Sequence, residues 1–266
     1  MMDTVEYVAL RLIRRIMPET LLKTVAFLVP HYQRSLGETD PRPVVAEYQR
    51  WLAEAGVKLE GKRVVEIGCG ATNGTGYGLV CSGASTWTGI EPFQRFDARA
   101  DHAQKHLVEQ THNRSIDPAA IVRMRDITGV ADAGADLVLS NSVLEHVKDC
   151  PALFSQCQRI LAPGGAMLHI VDYRDHFFKY PYHFLLFGER VWKRWLNPGD
   201  LFRYRVGDHV EMLKTAGFAV EVLDTRKDEA GYEKVRGRIH EQFHGRSDDD
   251  LSVAFAVLFC KLAGAP

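Results

Sequence analysis

An α/β fold on a largely parallel sheet, with helices on both faces, is what this sequence predicts, and three observations carry the prediction. From Gly61 onward, short apolar runs alternate with helix-period stretches, the pattern of βαβ units. The first run, Arg63 to Ile67, passes straight into a turn, Gly68-Cys69-Gly70, where glycines let backbone N–H groups approach a ligand closely. The chain is also long enough, at 266 residues and 30.0 kDa with 46% hydrophobic residues, to bury a large core.

Residues 1–60 precede the alternation and read as an N-terminal helical extension. Val5, Val8, Leu12 and Ile16, then Leu21, Leu22, Val25 and Leu28, recur at helical spacing around a break at Pro18, with Thr20 placed to cap a second helix. A third helix is expected after Pro43, through Tyr48 and Trp51 to about Ala55. Between Arg11 and Arg34 five Lys or Arg face one Glu, so these helices suit peripheral contact with an anionic membrane surface, dimerisation, or packing on the domain itself.

Residues 61–266 form the main domain. Strands are expected at Arg63 to Ile67, Thr86 to Ile90, Ile121 to Arg125, Ala135 to Ser140, Ala166 to Val171, Ala219 to Leu223 and Val253 to Lys261. The helices between them should begin near Gly74, Gln94, Ala131, Pro151 and Val206. From Tyr173 to Arg205 the alternation lapses into an aromatic-rich insertion, expected to form a substrate lid at 173–205.

Composition narrows the function. With 33 Lys+Arg against 34 Asp+Glu the chain is not a generally basic nucleic-acid binder. Its five cysteines contain no CxxC pair, which fits reduced thiols and a cytoplasmic setting better than a disulfide framework or zinc knuckle. The first residues are acidic rather than basic and no apolar run approaches the roughly 20 residues of a bilayer span.

The glycine turn invites either a dinucleotide or S-adenosylmethionine. Glu91 ends the second strand, where an acid accepts from ribose hydroxyls in either case. The spacing is G-x-G-x-x-x-G over Gly68, Gly70 and Gly74, and Glu66 lies two positions before the first glycine. A carboxylate there would repel a pyrophosphate and tolerate a cationic sulfonium ligand with its amino group, which favours S-adenosylmethionine over an NAD-dependent oxidoreductase.

At this point the sequence resembles the class I S-adenosylmethionine-dependent methyltransferases, in particular the type 11 or type 23 small-molecule group. The matching pieces are Glu66 to Gly70, Gly89 to Glu91, Arg125 to Ile127, Asp136 to Val147 and Arg159 to Gly165. They fall in family order within residues 61–172. The resemblance implies a Rossmann-like sheet of seven strands, mostly parallel with the last antiparallel. It also implies that Gly68, Cys69 and Gly70 lie against the methionine part, Glu66 positions its amino group, and Glu91 holds the ribose. Asp126 would accept from the adenine amino group, with Ile127 beside the ring and Asn141 near the methionine tail. Asp126 and Asn141 would otherwise be loop caps.

Methyl transfer from a sulfonium needs alignment, and a base where the acceptor is a hydroxyl. His146 is the first candidate base, against a reading in which Glu145 and His146 only orient the next loop. Asp172 and His176, in the cluster Asp172 to His176 after the fifth strand, are the next candidates. No metal is expected: Ser142 stands where some ubiquinone-type enzymes have an acid beside the Glu-His pair, and Glu145 with His146 gives too few ligands. Cys69 reads as a packing residue and His169, between Leu168 and Ile170, as a core histidine. The lid carries seven Lys or Arg against three acids among many aromatics. That composition suits a small acceptor with a ring or an anionic group, with a hydroxyl of a saccharide or surface-polymer precursor the expected one, or else a helical cap with its own core. A non-catalytic cofactor-binding module stays open as the alternative from another class.

Overall fold

The computed structural model describes residues 2–16, 40–177, 179–197 and 201–264; the expected helix at Leu21 to Leu28, and Phe178 in the lid, lie outside these. Seven strands form one sheet in the order β3-β2-β1-β4-β5-β7-β6: β1 (Arg63–Ile67), β2 (Thr86–Ile90), β3 (Ile121–Met124), β4 (Ala135–Asn141), β5 (Leu161–Asp172), β6 (Phe218–Lys227) and β7 (Val253–Leu262). β7 runs antiparallel to both of its neighbours and the pairs among β1 to β5 are parallel. Central strands read as unbroken apolar runs because both faces of the sheet are covered; Ala135, Leu137, Val138 and Leu139 of β4 are all at most 1% exposed.

The longer helices among the described residues are α1 (Met2–Ile16), α2 (Arg42–Glu54), α3 (Gly74–Cys81), α4 (Ala98–His112), α5 (Cys150–Ile160) and α6 (Val206–Thr215). On one face of the sheet Phe154, Cys157 and Ile160 of α5 and Leu213 of α6 meet Val65, Val138 and Met167. On the other, α2 presents Val45, Tyr48 and Leu52, spaced to share one helical face, to Leu79, Trp87 and Leu168. So α2, counted in the sequence with the N-terminal extension, is a layer of the sheet domain.

Two helix expectations need correction. The helix placed near Gln94 begins at Ala98, capped by Asp97, which accepts from the N–H groups of Arg99 and Ala100 at 3.1 and 3.0 Å. The N–H groups of Phe93 and Gln94 are drawn instead to Glu91. No helix forms at Ala131. That connection holds a short 3-10 turn, Ile127–Gly129, and β4 begins at Ala135, so residues 131–134 are too few for a helix. Arg159 donates to the carbonyls of Ile127 and Val130 at 3.1 and 2.8 Å and ties the connection to α5.

The lid forms a third core. Tyr180, Tyr182, Phe184, Leu185 and Trp192 pack with Tyr7 of α1 and with Tyr232, Val235 and Phe243 from the β6–β7 connection. Two of its basic residues are structural. Arg205 is fully buried and donates to the carbonyls of Tyr173 and Leu251 at 2.6 and 3.0 Å, while Arg203 donates to those of Phe184 and Phe187 at 3.0 and 2.6 Å. Each long side chain thereby satisfies carbonyls that the irregular backbone leaves unpaired. Replacing Arg205 by Ala should lower unfolding stability by about 3 kcal/mol or more, from several charge-assisted hydrogen bonds, with cofactor affinity preserved; urea unfolding followed by tryptophan fluorescence measures it.

Candidate active site

The parallel strands β1, β2, β3 and β4 deliver their carboxyl ends to one edge of the sheet, where open α/β sheets form their crevice. β1 hands over to the glycine turn, in which Gly68 and Gly70 have φ of +73° and +71°, values that side chains other than glycine's rarely tolerate. Gly68 is also in close contact: an added Cβ would lie 2.4 Å from Val143 Cγ2. Around Gly70 no atom lies within 4 Å of that position, so the turn is closed on the Val143 side and open at Gly70.

Glu91 ties this turn to the next. Its Oε2 accepts from the Gly70 N–H at 3.0 Å and its Oε1 from the N–H groups of Phe93 and Gln94 at 2.9 Å each. Three backbone donors on one carboxylate leave Oε2 with a further lone pair. Glu66 is 3% exposed, with Trp87 Nε1 donating to it at 3.0 Å and the Tyr48 hydroxyl at 3.3 Å. Burial pushes its carboxyl up to about 7, against the opposing pull of those two donors.

The register places Glu66 of β1 opposite Gly89 of β2, and Gly89 opposite Arg123 of β3. With no side chain at Gly89, Arg123 reaches across to the glycine turn. It donates to the Gly70 carbonyl, to the Thr72 carbonyl at 3.2 Å and to Asn73 Oδ1 at 3.3 Å. It also approaches Cys69 Sγ at 3.2 Å. Arg123 was not singled out from the sequence; the signal was an arginine paired across a glycine with a buried glutamate. Arg123, Asn73, Glu91, Phe96 and Arg125 line a cavity of about 390 Å³. Cys69 has its thiol pushed up to about 12 by burial, so it remains protonated near neutrality and matches the packing role.

Asp126 is exposed and accepts from the Thr128 N–H at 2.8 Å, which holds its carboxyl below the usual range. Ile127 is turned into the core, 9% exposed, so its side chain has little surface to offer a ring beside it. At the end of β4, Asn141 accepts from the Ser142 hydroxyl at 3.2 Å. Ser142 has a φ of +54° and its N–H is held by the Ile170 carbonyl at 2.8 Å. That left-handed residue reverses the chain, so that Val143 covers Gly68 and the turn Leu144–His146 follows at once.

His146 meets His176 from the segment after β5. The two rings stack at 4.7 Å between centroids and 14° between planes, with Nε2 to Nε2 3.0 Å. Glu145 is 3% exposed, and neither carboxylate oxygen has a hydrogen-bond partner of good geometry. Burial outweighs the nearby N–H groups of Glu145 and Asp172 and pushes its carboxyl well above the usual range. Ligand atoms of Glu145, His146 and His176 lie within 4.8 Å of one another. Spacing along the chain gave no means of bringing His176 to the Glu-His pair. Asp172, by contrast, is engaged by Arg174, from its N–H at 2.9 Å and from its guanidinium at 3.0 and 2.7 Å, and it braces the segment on which His176 is carried. His169 is fully buried against Ser140 Oγ at 2.7 Å, and burial lowers it to about 3, as the core reading required.

Residues 38–223 match the family described as a methyltransferase domain. The chain is 33% identical over 113 residues to the ubiquinone biosynthesis O-methyltransferase of Rhizobium johnstonii, covering 40% of each chain. It is 33% identical over 131 residues to that of Cereibacter sphaeroides, covering 47% of each. The match thus spans less than half the length of these relatives. Among solved structures, Haemonchus contortus phosphoethanolamine N-methyltransferase 2, in complex with phosphomonomethylethanolamine and S-adenosylhomocysteine, shares the fold with a TM-score of 0.51. The identity is 17%, over 82% of this chain and 53% of that one. The glycine turn, the acid ending β2 and the strand order therefore agree with the family match: the chain belongs to the methyltransferase-domain family of class I, S-adenosylmethionine-dependent methyltransferases.

Proposed function

We propose that this chain transfers the methyl group of S-adenosylmethionine to a hydroxyl oxygen of a small acceptor, with His146 and His176 taking up the hydroxyl's proton. The observation that carries this reading is the pair of imidazoles 3.0 Å apart at Nε2, on a turn whose Val143 packs against the glycine loop. Facing nitrogens at that separation can share a proton and pass it from one ring to the other, and imidazole is the side chain whose proton affinity suits general-base work near neutrality. When bound, the cofactor supplies an electrophilic methyl on a sulfonium. The residues of the chain bind, orient and remove the proton as the new oxygen–carbon bond forms.

In this reading the open side of Gly70 accommodates the methionine part beside Gly68 and Cys69, Glu66 faces its ammonium, and the remaining Glu91 lone pair takes a ribose hydroxyl. Asp126 and the Ile127 N–H serve the adenine edge, and Asn141 borders the methionine tail. Among acceptors, a ring-bearing hydroxyl is favoured over a saccharide. Phe202, whose N–H is held by the Glu145 carbonyl at 3.2 Å, and Tyr204 bring two rings 6.4 Å apart beside the histidine turn. Two lid arginines that suggested an anionic or saccharide acceptor are spent on backbone carbonyls. The relatives' name, an O-methyltransferase of ubiquinone biosynthesis, points the same way.

A second reading rests on Glu145. Its buried, unpartnered oxygens beside two imidazole nitrogens form a donor set suited to a divalent cation that would polarise the acceptor hydroxyl.

Turnover of catechol-type and saccharide acceptors, with S-adenosylhomocysteine formation as the readout, tests the function; methylation of the saccharide alone would overturn the ring preference. His146→Ala and His176→Ala should each lower kcat by about 100-fold or more while the affinity for S-adenosylhomocysteine holds. Activity abolished by a chelator and restored by Mg²⁺ or Zn²⁺ would give the cation reading precedence.

Glu66 yields a pH prediction. Its folded-state pKa of about 7 exceeds the ordinary 4.5, so its share of stability is present below pH 4.5 and lost as pH rises to 7, by roughly 3 kcal/mol. Glu66→Gln should remove that slope in urea unfolding between those pH values. A bound ammonium favours the carboxylate, so calorimetric affinity for S-adenosylhomocysteine should rise with pH through 7 in the wild type and change less in the variant.

A further inference from the structure

We propose that α1, which precedes the family match beginning at residue 38, is a working part of the transfer site: through Arg11 and Tyr7 it clamps Asp175 and so holds the adjacent His176 against His146. This inference rests on the histidine-pair reading above.

Asp175 is fully buried and Arg11 is 2% exposed, and the two form an ion pair across 164 residues of sequence. The Tyr7 hydroxyl donates to the second oxygen of Asp175 at 2.5 Å, and Arg11 Nε donates to that same hydroxyl at 3.3 Å. Asp175 also accepts from the Phe177 N–H at 2.9 Å and donates its own N–H to the Pro181 carbonyl at 2.8 Å. The residue before His176 is thus fixed by its own loop and, through its charge, by α1. Asp172 and Arg174 brace the same segment from the strand side.

A carboxylate this deeply buried is stable in place only while it is paired. Without Arg11 the carboxylate loses its charge partner, and a turn of Asp175 towards water would carry the adjacent His176 with it. Other contacts of α1 grip the lid and the β6–β7 connection, where Arg238 donates to the Thr4 hydroxyl at 2.9 Å. Glu6 pairs with Lys179, Arg15 donates to the Arg194 carbonyl, and the Tyr7 ring lies 5.9 Å from that of Phe187. Arg11 and Tyr7 are therefore positioning residues, acting on the chemistry through Asp175.

The test is steady-state kinetics of full-length variants with calorimetry of S-adenosylhomocysteine binding. Arg11→Ala should lose on the order of 100-fold in kcat, the cost of a small misplacement of a catalytic group, with unchanged affinity for S-adenosylhomocysteine and a native near-UV spectrum. Arg11→Lys should recover part of the loss. Tyr7→Phe, which removes one hydroxyl, should show a smaller fall in kcat at unchanged cofactor affinity, and it decides the matter if Arg11→Ala does not fold. Wild-type kcat in folded Arg11→Ala, or in Tyr7→Phe should Arg11→Ala not fold, overturns the proposal. So does a parallel loss of kcat and cofactor affinity, which would mark a general structural role. If His146→Ala and His176→Ala themselves retain wild-type turnover, the histidine-pair reading falls and this inference with it. If they lose turnover while Arg11→Ala keeps it, only the role of α1 falls.

Discussion

One carboxylate organises the glycine-turn edge of this molecule. Strands that end side by side in a parallel sheet leave their outgoing loops with unpaired N–H groups, and these must find acceptors wherever water is excluded. Glu91 gathers three of them, from Gly70, Phe93 and Gln94, and so binds the loop after β1 to the loop after β2. Arg123 does the converse for carbonyls, drawing those of Gly70 and Thr72 towards β3. With both in place the glycine turn has its shape before any ligand arrives, which lowers the ordering entropy that binding would otherwise cost.

The site divides into halves built on different principles. The half beneath the glycine turn is sheet register: Glu66, Gly89 and Arg123 lie in one row because β1, β2 and β3 are parallel and aligned. The half around His146 and His176 is made of connections, a left-handed serine after β4 and an irregular segment after β5, and is held by buried polar groups rather than by a ladder. Precision there comes from ion pairs and carbonyl staples such as Asp172 with Arg174 and Arg203 with the lid backbone.

This division explains what could be read from the sequence. β1 and β2 were legible to the residue, because an apolar run bounded by glycine and polar residues has few ways to be a buried strand. The glycine turn, Glu66 and Glu91 were legible for the same reason, since they occupy fixed offsets from those strands. The helix expected at Ala131 did not form because β4 begins at Ala135 and residues 131–134 are too few for one; Arg159, some 30 residues away in sequence, holds the carbonyls of that connection instead. The partnership of His146 with His176, and of Arg11 with Asp175, is likewise long-range and carries no periodic signature. In the lid the composition was legible and its use was not. Aromatic and basic residues in one stretch fit a binding surface and a stapled core equally well, and only the carbonyls facing Arg203 and Arg205 separate the two.

The docking of α1 also has a consequence for synthesis. Arg11 and Tyr7 leave the ribosome long before Asp175, which follows Arg11 by 164 residues. At about 5–20 residues per second, this helix waits roughly 10–30 s for its partner. During that interval its apolar positions, Val8 and Leu10 among them, have no lid to pack on, and a chaperone or a neighbouring nascent chain competes for them. The helix is thus made well before it can reach its native place, and the histidine pair can assemble only after Asp175 and His176 have emerged.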